Sequence, residues 1–141
     1  MIINKVLYCA QVTATTGRDI RAVSSDGVLD LKVTMPRALG GANGPGTNPE
    51  QLFAASYAAS FLGIMRLVAQ REGVVLPTDT EVEASVGVGP IPRGFGIEVE
   101  LRISLPGLPR AALDLLVEKS HAVCPYSNAM RRNVSVRLVL A

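Results

Sequence analysis

Residues 52–65 are apolar or small on every helical face, and this run, more than any other feature, limits what the chain can become. It follows a complete helix-start signal: Asn48 as an N-cap amide, Pro49 at the first helical position, the acid Glu50 in the first turn and Gln51 at the capping-box position. The predicted helix runs to Gly73 as its C-terminal stop. The apolar run ends at Arg66, short of the roughly 20 residues a bilayer span needs, so a core helix is expected and no membrane insertion. A helix without a polar face must be surrounded by protein. About six strands and one amphipathic helix are too little to wrap it within one subunit, so a homodimer that shares the burial is expected.

At 141 residues the chain has the length of a single domain spanning 1–141, able to bury roughly 68–70% of its unfolded surface. With three Phe, three Tyr and no Trp, the core must be built from Val, Leu, Ile and Ala. A net charge of +2, with acids and bases interspersed, gives no basic stripe for nucleic acid. The N-terminal segment has no signal-peptide pattern, and the expected location is cytoplasmic. Two cysteines and one histidine make a disulfide framework or a metal site improbable, and no cofactor is expected.

Residues 5–16 and 27–35, with extended residues up to Ser24 between them, read as an N-terminal antiparallel meander. The segment 36–47, PRALGGANGPGT, reads as an irregular active-site or interface loop. Alternation over 81–88 and 97–105, joined by GPIPRGFG, predicts a long hairpin. An amphipathic helix is expected from Pro109 to about Val123 with a break at Cys124, since Pro125 cannot continue it. A closing strand follows over 133–140. The class is α+β, with antiparallel sheets packed around a buried central helix.

Cys124 precedes Pro125-Tyr126-Ser127-Asn128; if a second helix starts at Pro125, the sulfur sits at its N-terminus, where the macrodipole favours thiolate. A buried inert cysteine is the competing reading. Ser60, mid-helix, reads as a packing residue, because no Gly-x-Ser-x-Gly turn accompanies it. His121 reads as a helix-face residue, Arg131-Arg132 as a solvated turn and Cys9 as a packed thiol. Tyr126 could serve the site or the core.

The segments Asn48-Pro49-Glu50-Gln51-Leu52-Phe53-Ala54-Ala55-Ser56-Tyr57 and His121-Ala122-Val123-Cys124-Pro125-Tyr126-Ser127-Asn128-Ala129 resemble the two signatures of the organic hydroperoxide resistance family, within the osmotically inducible protein C superfamily. The likeness extends through Leu7-Tyr8, residues 15–19, residues 24–27 and Gly94-Phe95-Gly96. It implies an OsmC-like fold in an intertwined homodimer with two interfacial active sites. In the family the first signature leads to a peroxidatic cysteine, where this chain has Ser60, and Cys124 matches the resolving cysteine. Arg18 and Glu50 match the family's catalytic arginine and glutamate.

The implied reaction is reduction of an organic hydroperoxide: a thiolate at position 60 takes the outer peroxide oxygen, leaving an alcohol and a sulfenic acid. Cys124 then closes a disulfide, which a dithiol such as dihydrolipoamide on a lipoylated protein reopens. Arg18 would favour the thiolate and Glu50 would hold Arg18 by a bidentate pair. Because Glu50 and Ser60 are separated by about 15 Å along one helix, Arg18 and Glu50 are expected to reach position 60 from the partner chain. Ala55, Ser56, Ala59, Phe61 and Ile64, with Tyr126, would line a pocket for alkyl or fatty-acid hydroperoxides. A serine cannot form the thiolate, so this chain is expected to be inactive as written. Retention of every other matched residue favours a cysteine-to-serine replacement over a decayed paralogue. The alternatives are a non-catalytic dimeric module binding lipids or hydroperoxides with a natural Ser60, and a serine hydrolase pairing Ser60 with His121.

Overall fold

The computed structural model describes residues 1–141 and contains two compact units, Met1–Leu52 and Phe53–Ala141. Together they give an α+β protein with two three-stranded sheets.

The first unit holds an antiparallel meander of β1 (Val12–Thr15), β2 (Ile20–Ser24) and β3 (Asp30–Val33), with β2 in the centre. Its register runs from Val12↔Ser24 to Thr15↔Arg21 on one side and from Ile20↔Val33 to Val23↔Asp30 on the other. The strand expected from Lys5 begins only at Val12; Gln11 O still accepts from Ser25 N at 2.9 Å, but residues 5–10 belong to no strand, and Val6, Leu7 and Tyr8 are exposed. The β2–β3 turn is tied by Asp26, whose Oδ1 accepts from the Ser24 hydroxyl at 2.6 Å and from Val28 N at 3.0 Å, with Gly27 at φ +73°.

The 36–47 segment departs from the irregular loop expected of it. Arg37–Leu39 forms a 3-10 turn, and Thr47 makes a parallel bridge to Val33. Thr34 N donates to Thr47 O at 2.7 Å, Thr47 N to Lys32 O at 3.0 Å, and Thr34 Oγ1 to Gly44 O at 3.1 Å. Gly46 is required here, because its φ is +144° and an added Cβ would lie 2.9 Å from Lys32 O.

Helix α1 (Pro49–Glu72) starts as the sequence predicts. Asn48 Oδ1 accepts from Gln51 N at 2.8 Å, the first half of a capping box. Gln51 Oε1 accepts from the Thr47 hydroxyl at 2.8 Å and does not return to the Asn48 backbone. Gly73, at φ +69°, ends the helix, with Val74 N donating to Ala69 O at 2.9 Å.

In the second unit β4 (Glu81–Ile91) and β5 (Gly94–Ser104) pair antiparallel over their full length, from Glu81↔Ser104 to Ile91↔Gly94. Most of the expected GPIPRGFG connection is strand, and only Pro92-Arg93 turns. Pro90 is compatible because β4 is an edge strand and need not donate outward. Helix α2 (Arg110–Val123) and the short α3 (Pro125–Met130) follow, then β6 (Val136–Leu140). Strand β6 runs parallel to β5, from Val99↔Val136 to Ile103↔Leu140. The sheet is therefore mixed, a correction to the expected antiparallel arrangement: the helical passage returns the chain to the end from which β5 started.

The core joins Tyr57, Phe61, Met65, Val68 and Ala69 of α1 to Val99, Leu101 and Ile103 of β5, the adjoining Leu105, and Leu113, Leu116 and Val117 of α2. Helix α1 is long and apolar enough to cross a membrane by length and composition, yet this face is packed into the core. Its other face is not surrounded by the chain's own residues. Ala55, Ala59 and Gly63 are exposed, and so is Leu67.

Candidate functional site

Cys124 sits at an elbow. Its backbone is extended (φ −66°, ψ 126°) between α2 and α3, as expected of a residue before proline. Cys124 N donates to Ser120 O at 2.9 Å and Asn128 N donates to Cys124 O at 2.9 Å, so the elbow is bonded on both sides. The side chain is fully buried in the core cluster.

Around this cysteine the second unit gathers a polar and aromatic group. Tyr57 Oη and Ser127 Oγ lie 2.7 Å apart, and His121 Nδ1 lies 2.8 Å from the same Ser127 oxygen. Tyr57 and Ser127 are buried, whereas His121 is half-buried on the last turn of α2. Tyr126 stacks on Tyr57 with ring centroids 5.6 Å apart, and Phe53 meets both edge-on at 6.5 and 6.4 Å. Arg131 straps the elbow from outside, donating from Nη2 to His121 O at 2.9 Å and from Nη1 to Asn128 Oδ1.

Burial pushes the Tyr57 phenol above its ordinary value; the Ser127 hydrogen bond opposes this, the charge of Cys124 adds to it, and Arg131 opposes it. Burial likewise pulls His121 below the ordinary imidazole range, and the nearby Arg131 guanidinium pulls the same way. The ring is therefore neutral near neutrality, leaving one nitrogen as donor and the other as acceptor.

Ser60 lies on α1, half-buried, at the border between the core face carrying Tyr57 and Phe61 and the exposed face carrying Ala55 and Ala59. Ser56 and Ile64, one turn to either side, are also half-buried. It is Ser56 whose hydroxyl returns to the helix backbone, at Phe53 O, 2.8 Å away. Phe61 is fully buried in the core of its own chain.

Arg18 and Glu50 belong to the first unit. Arg18 is exposed in the bend before β2, and its neighbour Asp19 pairs with Lys32 at 3.2 Å. Glu50 is on the first turn of α1, and its Oε2 is buried without a hydrogen-bond partner. The two residues form no ion pair within the chain. Cys9 is exposed in the segment before β1 and is not the packed thiol that a strand would have made it.

Spacing alone did not single out Tyr57, Ser127 or Arg131, and His121, on the last turn of α2, is hydrogen-bonded to Ser127. His121 and Ser127 stand six positions apart across the proline break, which resets the helical phase and hides their adjacency. His121 takes Ser127 as its partner and not Ser60, which removes the support for a hydrolase pairing of Ser60 with His121.

The two sheets, the long capped helix and the cysteine elbow define an OsmC-like protein, and the model of the family described as OsmC-like protein matches residues 40–139. The organic hydroperoxide resistance protein of Xanthomonas axonopodis pv. citri is 60% identical over 137 residues, covering 97% of this chain and 96% of its own. Among solved structures, an organic hydroperoxide resistance protein OsmC from Legionella pneumophila is 43% identical with a TM-score of 0.90, covering 97% of this chain and 99% of that one. The organic hydroperoxide resistance protein OhrB of Bacillus subtilis is also 43% identical, with a TM-score of 0.86 and coverages of 96% and 100%. The chain belongs to the organic hydroperoxide resistance family of OsmC-like proteins.

Proposed function

We propose that this chain serves organic hydroperoxide resistance as a thiol-dependent peroxidase scaffold whose reacting sulfur position is occupied by Ser60. The observation that carries this reading is Cys124 on a doubly bonded elbow, in a chain 60% identical to an organic hydroperoxide resistance protein. With cysteine at position 60, the thiolate would attack the outer peroxide oxygen, the O–O bond would break and the alcohol would leave. Cys124 would then displace the sulfenic oxygen as water, and a dithiol such as dihydrolipoamide would reopen the disulfide by exchange. The half-buried Ser56 and Ile64 and the exposed Ala55 and Ala59 beside position 60, with Tyr126 of the elbow, suit an alkyl or fatty-acid hydroperoxide better than hydrogen peroxide, while Phe61 is fully buried in the core and backs the site without lining it.

The proposed active assembly is a homodimer in which residues 1–141 act as one OsmC-like domain, located in the cytoplasm. Two features support the dimer. The Ala55, Ala59 and Gly63 face of α1 is apolar and exposed, and the Glu50 Oε2 is shut from solvent with no partner. A buried carboxylate oxygen is costly until it is bonded, and assembly with a second copy would give it the chance to gain a donor.

The test is Ser60→Cys, assayed by consumption of an alkyl hydroperoxide with a dithiol reductant. Turnover that is absent from the serine chain is expected. No gain would sink the enzyme reading, and tight fatty-acid binding without turnover would favour the non-catalytic binding module. Shared sites are tested by complementation: the inactive double variant Ser60→Cys/Glu50→Gln should regain activity when co-folded with the unmodified chain, which supplies an intact Glu50 and no competing thiol.

A further inference from the structure

The exposed face of α1 changes character along its length. Ala55 and Ala59 are small, whereas from Gly63 onward Leu67, 40% exposed, brings a large apolar side chain to the surface. Gly73 then turns the chain, Val74 N donates back to Ala69 O at 2.9 Å, and an open groove of about 650 Å³ forms between Val74 and Leu76 and the helix. That volume lies in the range that holds a small organic ligand. Gly63 keeps the groove clear, since an added Cβ there would meet nothing within 4 Å. The polar members of its lining are Arg66 and Gln70, and the rest are apolar or glycine.

Arg66 is an uncompensated cation. No acid stands three or four residues away on the helix, Arg66 makes no ion pair within the chain, and Glu72 is taken by Lys119 at 2.8 Å. Arg66 also precedes the last turn of α1, so the negative end of the macrodipole does not oppose an anion beside it. A guanidinium offers a planar fork of donors that matches a carboxylate, and the Gln70 amide can add one more. An apolar trough with one free fork at its rim complements an anionic amphiphile. A cationic amphiphile is repelled, and an uncharged one leaves the fork unused.

We propose that this groove binds a long-chain carboxylate, head on Arg66 and Gln70 and chain against the apolar walls, and that Arg66 thereby selects among the hydroperoxides that reach position 60. Gly63 is one turn from position 60, and Arg66 is about 9 Å from it along the axis. A head held at Arg66 therefore sends the chain across Gly63, which favours peroxides whose oxygen-bearing carbon lies mid-chain, away from the carboxylate. The surface assigned above to a second copy is N-terminal to the groove and shares only Gly63 with it. The selective role rests on the peroxidase reading; the binding does not.

Binding is measured by titration calorimetry on the chain as it stands, with Ser60, using decanoate and decyltrimethylammonium, which have like tails and opposite heads, both below micelle-forming concentrations. Decanoate should bind, and the cation at least about tenfold more weakly. Arg66→Met keeps an apolar stem and removes the fork; decanoate should weaken about tenfold or more, the loss of one charge-assisted hydrogen bond, and Arg66→Lys should recover part of it. Leu67→Gln should weaken decanoate as well. No decanoate binding, equal binding of the two heads, or binding unmoved by Arg66→Met overturns the proposal. So does a fall in molecular mass by light scattering, in Leu67→Gln or on adding decanoate, which would assign the groove to a second copy. In Ser60→Cys, Arg66→Met should reduce the preference for a mid-chain fatty-acid hydroperoxide over an uncharged alkyl hydroperoxide about tenfold, chiefly through KM. An inactive Ser60→Cys protein would refute the peroxidase reading and leave the binding result standing. An active one whose preference ignores Arg66→Met would refute this inference alone.

Discussion

Deleting the Ser127 hydroxyl should cost more than the hydrogen bond it makes. Ser127→Ala leaves Tyr57 Oη fully buried with no acceptor, a loss of about 1–3 kcal/mol. The half-exposed His121 ring can turn to water and adds little. Tyr57→Phe is milder, because Ser127 keeps His121 as a partner; about 1 kcal/mol is expected. The double variant removes donor and acceptor together and leaves no orphan. Its total cost should therefore be near that of Ser127→Ala alone, a departure from additivity of about 1 kcal/mol. Urea unfolding at one fixed protein concentration measures all four proteins, with an unchanged m-value as the check on two-state behaviour. Costs that add to within about 0.5 kcal/mol, or a Ser127→Ala cost below about 0.5 kcal/mol, would refute the argument that the buried hydroxyls depend on each other.

Three further outcomes are expected. Asn48→Ala removes the acceptor of Gln51 N and should lower stability by about 1 kcal/mol in the same assay, while Asn48→Asp should restore most of it. Gly46→Ala places a Cβ against Lys32 O in a backbone conformation that side chains rarely adopt; a cost of at least about 1 kcal/mol is expected, largest for the segment between β3 and α1 in hydrogen exchange. Because the imidazole of His121 is held below its ordinary value in the folded chain, the unfolded chain binds a proton first as pH falls through about 6.5. Its contribution is complete above that pH and is lost on acidification toward the folded-state value, and His121→Asn should flatten this part of the stability profile, measured by urea midpoints from pH 7 to 5.

Local chemistry was legible in the sequence and long-range geometry was not. Asn48, Pro49 and Gly73 set the ends of α1 within their own neighbourhoods, and the structure places them where capping rules require. The elbow at Cys124 follows from one proline in the same way. By contrast, the alternation over residues 133–140 specifies a strand but no direction, and β6 became parallel to β5 only through the helical return that precedes it. Gly and Pro in residues 89–96 read as a loop because sequence does not reveal that β4 is an edge, where proline is tolerated. For the candidate site, the two signature segments drew attention to Cys124 and position 60, which remain proposals, but the Tyr57, Ser127 and His121 chain depends on contacts 70 and 6 residues apart that no single periodicity links.

The elbow also divides the labour of any chemistry at Cys124. Its N–H and C=O are both committed, Pro125 narrows its backbone freedom, and Arg131 ties the flanking helices together. The sulfur can turn about its own side-chain bond and do little else. It is a fixed post, so whatever approaches it must supply the travel.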